Sequence, residues 1–250
     1  MIVSPEAGGQ AIGLVEKSSG TNLTTSVGLL RDAFSHTENP PGIKESRARG
    51  RFGLFNRPYD AVWQTENGNP VLTLHYEAPD ILPAGASIKK TVQFEGTTAL
   101  RVDYRIALHM DTGDAGAASS SSVQSFIGLN SFPALAQLGE TTRFCWAAGP
   151  DAGKHGGADK TEDPAESSDH CEDFKPGGET IKVPASTTRV EVRTPDWPGI
   201  AIEWECTNVC AQMTIEPKNF SVLFRLAFPP LTPGADEIEY TMRFRTLGVL

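Results

Sequence analysis

No stretch of the 250 residues approaches the roughly 18 consecutive apolar positions of a membrane-spanning helix. Nor does the N-terminus join a basic start to an apolar core, as a secretory leader would. A basic stripe is missing too: 22 Lys and Arg stand against 31 Asp and Glu, a formal net charge of −9, so no surface matches a phosphate backbone and nucleic acid is excluded as a partner. G-x-S-x-G, HExxH and a phosphate-cradling glycine loop are all absent, and with them the most readable hydrolase, metallopeptidase and nucleotide chemistries. Cysteine is scarce, four in all, without a CxxC pair or a His-x3-His companion, which leaves no zinc framework. Nothing in the sequence asks for a cofactor.

What is present is turn chemistry and alternation. There are 24 Gly and 18 Pro, and 39% of the residues are hydrophobic, enough for one sizeable core broken by many turns. The clearest period-2 run sets Leu100, Val102, Tyr104, Ile106 and Leu108 on one face and Arg101, Asp103, Arg105 and His109 on the other. Similar runs are expected at Gly9–Lys17, Tyr59–Gln64, Pro70–Tyr76, Ser87–Phe94, Val123–Leu129 and Thr141–Ala147, and again from Thr180 to Thr246 at short spacing. Leu29–Phe34 breaks the pattern, and His36–Arg51 reads as a long polar surface loop. The sum is an all-β, large antiparallel sandwich in one domain, 1–250, with almost no helix. The start at Met1, opening at once onto a turn, suggests a domain cut from a longer chain that supplies other domains as partners.

Residues 149–178 are expected to protrude as an acidic loop, because Asp151–Asp173 carries eight acids and two lysines and too few apolar residues to fold alone. Its oxygen-rich stretch lacks the spacing of a calcium loop, so no metal is expected there. The four cysteines allow three pairings; Cys206 with Cys210 across a hairpin turn and Cys145 with Cys171 at the base of the acidic loop are favoured, which would place the protein in an extracellular or periplasmic, oxidising compartment.

Three segments carry a resemblance. AGGQAIGLVEKSSGTNL, LPAGASIKKTVQFEGTTALRVDYRIAL and MTIEPKNFSVLFRLAFPPLTPGADEIEYTMRFR resemble, in order and spacing, the first hairpin, the central strand pair and the closing strands of galactose-mutarotase-like (aldose-epimerase-like) domains. The resemblance implies a β-supersandwich with a sugar-binding face, and in the epimerases a glutamate and a histidine acting as base and acid on a hemiacetal. Glu216 occupies the glutamate-bearing strand. Where the enzymes carry Asn-x-x-His-x-Tyr-Phe, this chain reads LHMDTGDAG and then SFIGLNSFPA, and His109 is the nearest histidine.

The reading is therefore a non-catalytic carbohydrate-binding or accessory module of a larger exported protein, its partner a hexose or polysaccharide. The alternatives are a sugar mutarotase using Glu216 as base and His109 as acid, and a structural interaction module without a ligand. Candidate ligand residues are Arg101, Arg105 and Arg243, whose forks suit vicinal hydroxyls, and Glu203, which leaves the same strand face as Glu205. Among the four tryptophans, Trp146 and Trp197 are the expected stacking platforms; Trp204, alternating with Ile200 and Ile202, is expected in the core.

Overall fold

The computed structural model describes residues 1–15, 17, 20, 22, 24, 29–36, 52–54, 57–77, 86–108, 123–131, 141–147, 169–195, 197–207, 211–219, 221–231 and 237–247. Among them the chain is β-sheet throughout, relieved by one short 3-10 turn at Pro5–Ala7. The strands are β1 (Ile2–Ser4), β2 (Gln10–Gly13), β3 (Arg31–His36), β4 (Phe52–Gly53), β5 (Asp60–Glu66), β6 (Asn69–Glu77), β7 (Ala86–Glu95), β8 (Ala99–Leu108) and β9 (Val123–Ser131). They continue with β10 (Arg143–Ala147), β11 (Asp169–Asp173), β12 (Ile181–Lys182), β13 (Arg189–Thr194), β14 (Trp197–Cys206), β15 (Gln212–Pro217), β16 (Val222–Leu231) and β17 (Glu237–Thr246).

These strands form a nine-stranded sheet in the order β11-β10-β13-β14-β17-β8-β7-β6-β5, a six-stranded sheet in the order β12-β15-β16-β9-β3-β4, and the small β1-β2 hairpin. Every pairing is antiparallel, as alternating sequences with one wet face predict. Local chemistry fixes the register. At the β5–β6 turn Asn67 and Gly68 both take positive φ (50° and 82°), the two-residue hairpin geometry whose twist matches the flanking strands.

The two large sheets close face to face over one core. From the nine-stranded sheet come Leu72, Ile88, Val102, Ile106, Val190, Ile202, Trp204, Met242 and Phe244, and from the six-stranded sheet Met213, Ile215, Val222, Phe224 and Leu226, all buried. Rings interlock across the gap: Phe144 meets Phe224 edge-on at 6.0 Å, and Phe228 lies 4.6 Å from Tyr240. Gly199 sits where β14 bulges past β13; a Cβ there would stand 2.3 Å from the Val192 carbonyl oxygen, so the close approach requires glycine.

Two expectations change. Arg31–His36 is a full strand of the six-stranded sheet, paired with β9 and β4. Its inward position holds Asp32 where alternation looks for an apolar residue, which is why the pattern reads as broken. Asp169–Asp173, expected within the acidic loop 149–178, instead forms edge strand β11 against β10. Burial does not hold it: β11 exposes four of its five residues. Instead Cys145 and Cys171, opposite each other in register, are joined by a disulfide, while Arg143 and Arg193 bind Asp173 at 3.1 Å and Asp169 at 2.7 Å. Residues 149–168 lie outside the described residues, as do His109 and Cys210.

Candidate functional site

The outward face of the nine-stranded sheet is a lattice of arginines and carboxylates built by register. Antiparallel pairing sets Arg243 opposite both Arg101 and Glu203, and Thr241 opposite Asp103. Asp103 accepts hydrogen bonds from Arg101 Nε at 2.9 Å and Thr241 Oγ1 at 2.6 Å, and the bond to Asp103 raises the Arg101 guanidinium above its ordinary value. Glu95 reaches Arg101 at 3.5 Å and Arg243 at 3.3 Å, and Arg243 extends to Glu205 at 3.6 Å. Arg105 forks onto Glu237, with Nη2–Oε2 at 2.6 Å, which holds that carboxyl below its usual range. Further along, Glu203 bridges Arg189 at 2.7 Å and Arg245 at 3.9 Å. Opposite charges on adjacent strands have thus paired with one another.

One part of this face keeps free capacity. A pocket of ≈ 290 Å³ opens over β7, β8 and β17, lined by Lys89, Thr91, Asp103, Arg105, Glu239 and Thr241, with Thr207 at its rim. Among the described residues, the side chains of Lys89 and Thr91 have no hydrogen-bond or ion-pair partner. An exposed ammonium, a hydroxyl and a carboxylate that accepts two bonds can together meet several hydroxyls of one polyhydroxylated ligand.

Glu216 lies elsewhere. It projects from β15 on the outward side of the six-stranded sheet, since its neighbour Ile215 faces the core. The carboxylate is 12% exposed and engaged at both oxygens, by Lys218 Nζ at 2.8 Å and by the Arg225 guanidinium. The structure therefore sets Glu216 and the Arg101–Arg105–Arg243 group on opposite outer surfaces. They do not form one site. His109, the expected acid, is outside the described residues.

The tryptophans are redistributed as well. Trp146 is 5% exposed and packs in the core with its ring 4.8 Å from His170, so it offers no open platform. Alternation explains this: Phe144 and Trp146 share the inward side of β10. Trp197, the other expected platform, opens β14 opposite Thr194. Trp204 is core, as expected, and Trp63 is exposed, at 63%. Glu203 and Glu205 share a face, but each is committed to arginines rather than facing a cleft. Cys206 is half-buried at the end of β14 opposite Tyr240, and its expected partner Cys210 falls outside the described residues.

Sequence reasoning missed the polar centre of the sandwich. Lys90, on β7 between the inward Ile88 and Val92, is fully buried. Its ammonium lies 2.5 Å from Asp32 Oδ2 and donates to the carbonyls of Leu30 at 3.0 Å, Gly8 at 3.2 Å and Gly9 at 3.4 Å. Tyr59 donates to the same carboxylate oxygen at 2.8 Å, and its ring lies under the ammonium, 4.7 Å from centroid to Nζ. Burial lowers the lysine and raises the aspartate, while each partner opposes the other's shift. A lysine at an inward position of an otherwise apolar face was the available signal. This cluster ties both sheets to the turn between β1 and β2.

Neither a protein-family model nor a curated sequence matches the chain. Solved structures do resemble it. A 4-alpha-glucanotransferase from Thermococcus litoralis aligns over 98% of this chain at 14% identity with a TM-score of 0.55, and the chain spans 36% of that protein's length. An aldose epimerase homologue from C. elegans aligns over 97% of this chain and 94% of its own, at 10% identity and a TM-score of 0.57. Galactose 1-epimerase from Lactobacillus acidophilus covers 96% and 89%, at 9% identity and a TM-score of 0.53. The fold is that of the galactose-mutarotase-like β-sandwich. Identities this low carry the fold alone.

Proposed function

We propose that this chain is a carbohydrate-binding or accessory module of a larger exported protein, without catalysis of its own. The observation that carries the reading is the polar pocket on the nine-stranded sheet, where Lys89 and Thr91 stand open beside Asp103 and Thr241 within a face otherwise satisfied by its own ion pairs. The fold shared with epimerases supports a sugar, and the 36% share of the glucanotransferase supports service within a longer polypeptide. The Cys145–Cys171 disulfide supports an oxidising compartment. Glu216 speaks against a free general base, because Lys218 and Arg225 must first release its carboxylate.

The test is calorimetric titration of hexoses and oligosaccharides against the wild type and against Thr91→Val with Lys89→Ala. Binding that falls about tenfold or more in the double variant supports the pocket, two lost hydrogen bonds to ligand being worth roughly that much. A second reading, a structural interaction module without a ligand, draws on the ion pairs that fill most of the face; absence of any saccharide binding would select it. Polarimetry on α-glucose and α-galactose decides the epimerase alternative: a rate above the buffer control that disappears in Glu216→Gln would restore Glu216 as base, with His109 the residue to test next as acid.

A further inference from the structure

Among the described strands β5 ends the nine-stranded sheet, and each of its seven residues is exposed. Trp63 is 63% exposed although its neighbours in register, Leu72 and Val92, are each 1% exposed. The apolar inner face of the sheet thus runs on past its cover, and Phe94, 38% exposed, continues it. On the other face of the same strand Val62 is 51% exposed. A terminal strand with apolar side chains on both faces presents a row of backbone donors and acceptors ready for another strand.

Face chemistry and charge identify the occupant. Around Trp63 stand Leu72 and Val92, which offer no polar groups to sugar hydroxyls, so an apolar side chain fits better than a saccharide. A second copy fits poorly: β5 carries Asp60 and Glu66 and no basic residue, so antiparallel self-pairing centred on Trp63 would set Asp60 against Glu66 twice. We propose that β5 is a docking edge for an extended segment of another polypeptide, which adds as an antiparallel strand with an apolar residue opposite Trp63 and a Lys or Arg three positions to either side, opposite Asp60 and Glu66. Residues directly opposite share a face, so these bases meet the two acids on the outward side while the apolar residue covers Trp63. This surface is independent of the polar pocket.

The probe is a soluble peptide containing Lys-Thr-Thr-Leu-Val-Thr-Lys, compared with Glu-Thr-Thr-Leu-Val-Thr-Glu, on the wild type, on Trp63→Ala and on the double variant Asp60→Lys with Glu66→Lys. All three substituted residues are exposed, so the variants keep the fold. We expect calorimetry to show the wild type preferring the Lys peptide by about three- to tenfold, as two cross-strand charge pairs allow. The double variant should reverse the preference, Trp63→Ala should abolish binding, and amide exchange should slow along β5 when peptide is present. Equal binding of both peptides by both proteins, or unchanged exchange in β5, overturns the proposal. So does protection of β5 by a malto-oligosaccharide instead of the peptide, or a sedimentation dimer that Trp63→Ala dissolves, since each names a different occupant.

Discussion

Replacing Lys90 by Met keeps an apolar stem of similar length and removes the ammonium from the centre of the sandwich. The change leaves the Asp32 carboxylate, 4% exposed, with the Tyr59 hydroxyl 2.8 Å away, and takes a donor from the carbonyls of Gly8, Gly9 and Leu30. Removing one partner of a buried ion pair costs about 3–5 kcal/mol. In a chain of this size that corresponds to a fall in Tm of roughly 10 °C. The sign with pH follows from Asp32. Its folded pKa is raised, chiefly by burial, and Lys90 opposes the rise; without the lysine the rise is larger. A raised carboxyl contributes stability that is full below its unfolded value and is lost as pH climbs through the folded one. The variant's deficit should therefore be smaller in urea melts at pH 5 than at pH 7.5. Adding Asp32→Asn should recover much of the loss, because the buried charge then has no state to strand. Faster amide exchange in the β1–β2 hairpin should accompany the single variant, since Lys90 holds its turn. A single variant within about 1 kcal/mol of the wild type, or a deficit equal at both pH values, would refute the assignment of the pair as the tie between the sheets.

Opening the Cys145–Cys171 disulfide, by Ser at both positions or by reductant, releases a crosslink across a sequence separation of 26 and should lower stability by about 3.5 kcal/mol on the chain-entropy relation, read as the same Tm drop for the variant and for reduced wild type. Gly199→Ala should cost about 3 kcal/mol or more in chemical denaturation, because its Cβ meets the Val192 carbonyl at 2.3 Å and Leu247 Cδ1 at 3.0 Å, and the first of these is backbone that cannot rotate away.

The sequence carried the fold wherever a strand has one dry and one wet face. The β8 alternation is reproduced from Leu100 to Ile106, with Leu100, Val102, Tyr104 and Ile106 buried and Arg101, Asp103 and Arg105 in the lattice. It failed where polar groups do the work of apolar ones. Asp32 breaks the alternation of β3 because its partner is Lys90, 58 residues away in sequence, and no local pattern shows that a charge will be neutralised from another sheet. Strand β11 failed for a related reason, being held by a disulfide and two arginines instead of burial. The candidate site was legible as a list of residues and not as an arrangement. Arg101, Arg105, Arg243 and Glu203 share one face by register, whereas Glu216 belongs to the other sheet, and sheet membership is a long-range property.

The place of β17 bears on biogenesis. It lies between β14 and β8, so among the described residues the sheet hydrogen bonding between β5 to β8 on one side, and β10, β11, β13 and β14 on the other, runs through residues 237–246. On a translating ribosome both half-sheets are finished well before that seam emerges, each presenting a long raw margin that later becomes interior. Until β17 arrives the nascent chain carries two sticky borders in one molecule, an interval in which a holdase would shield them.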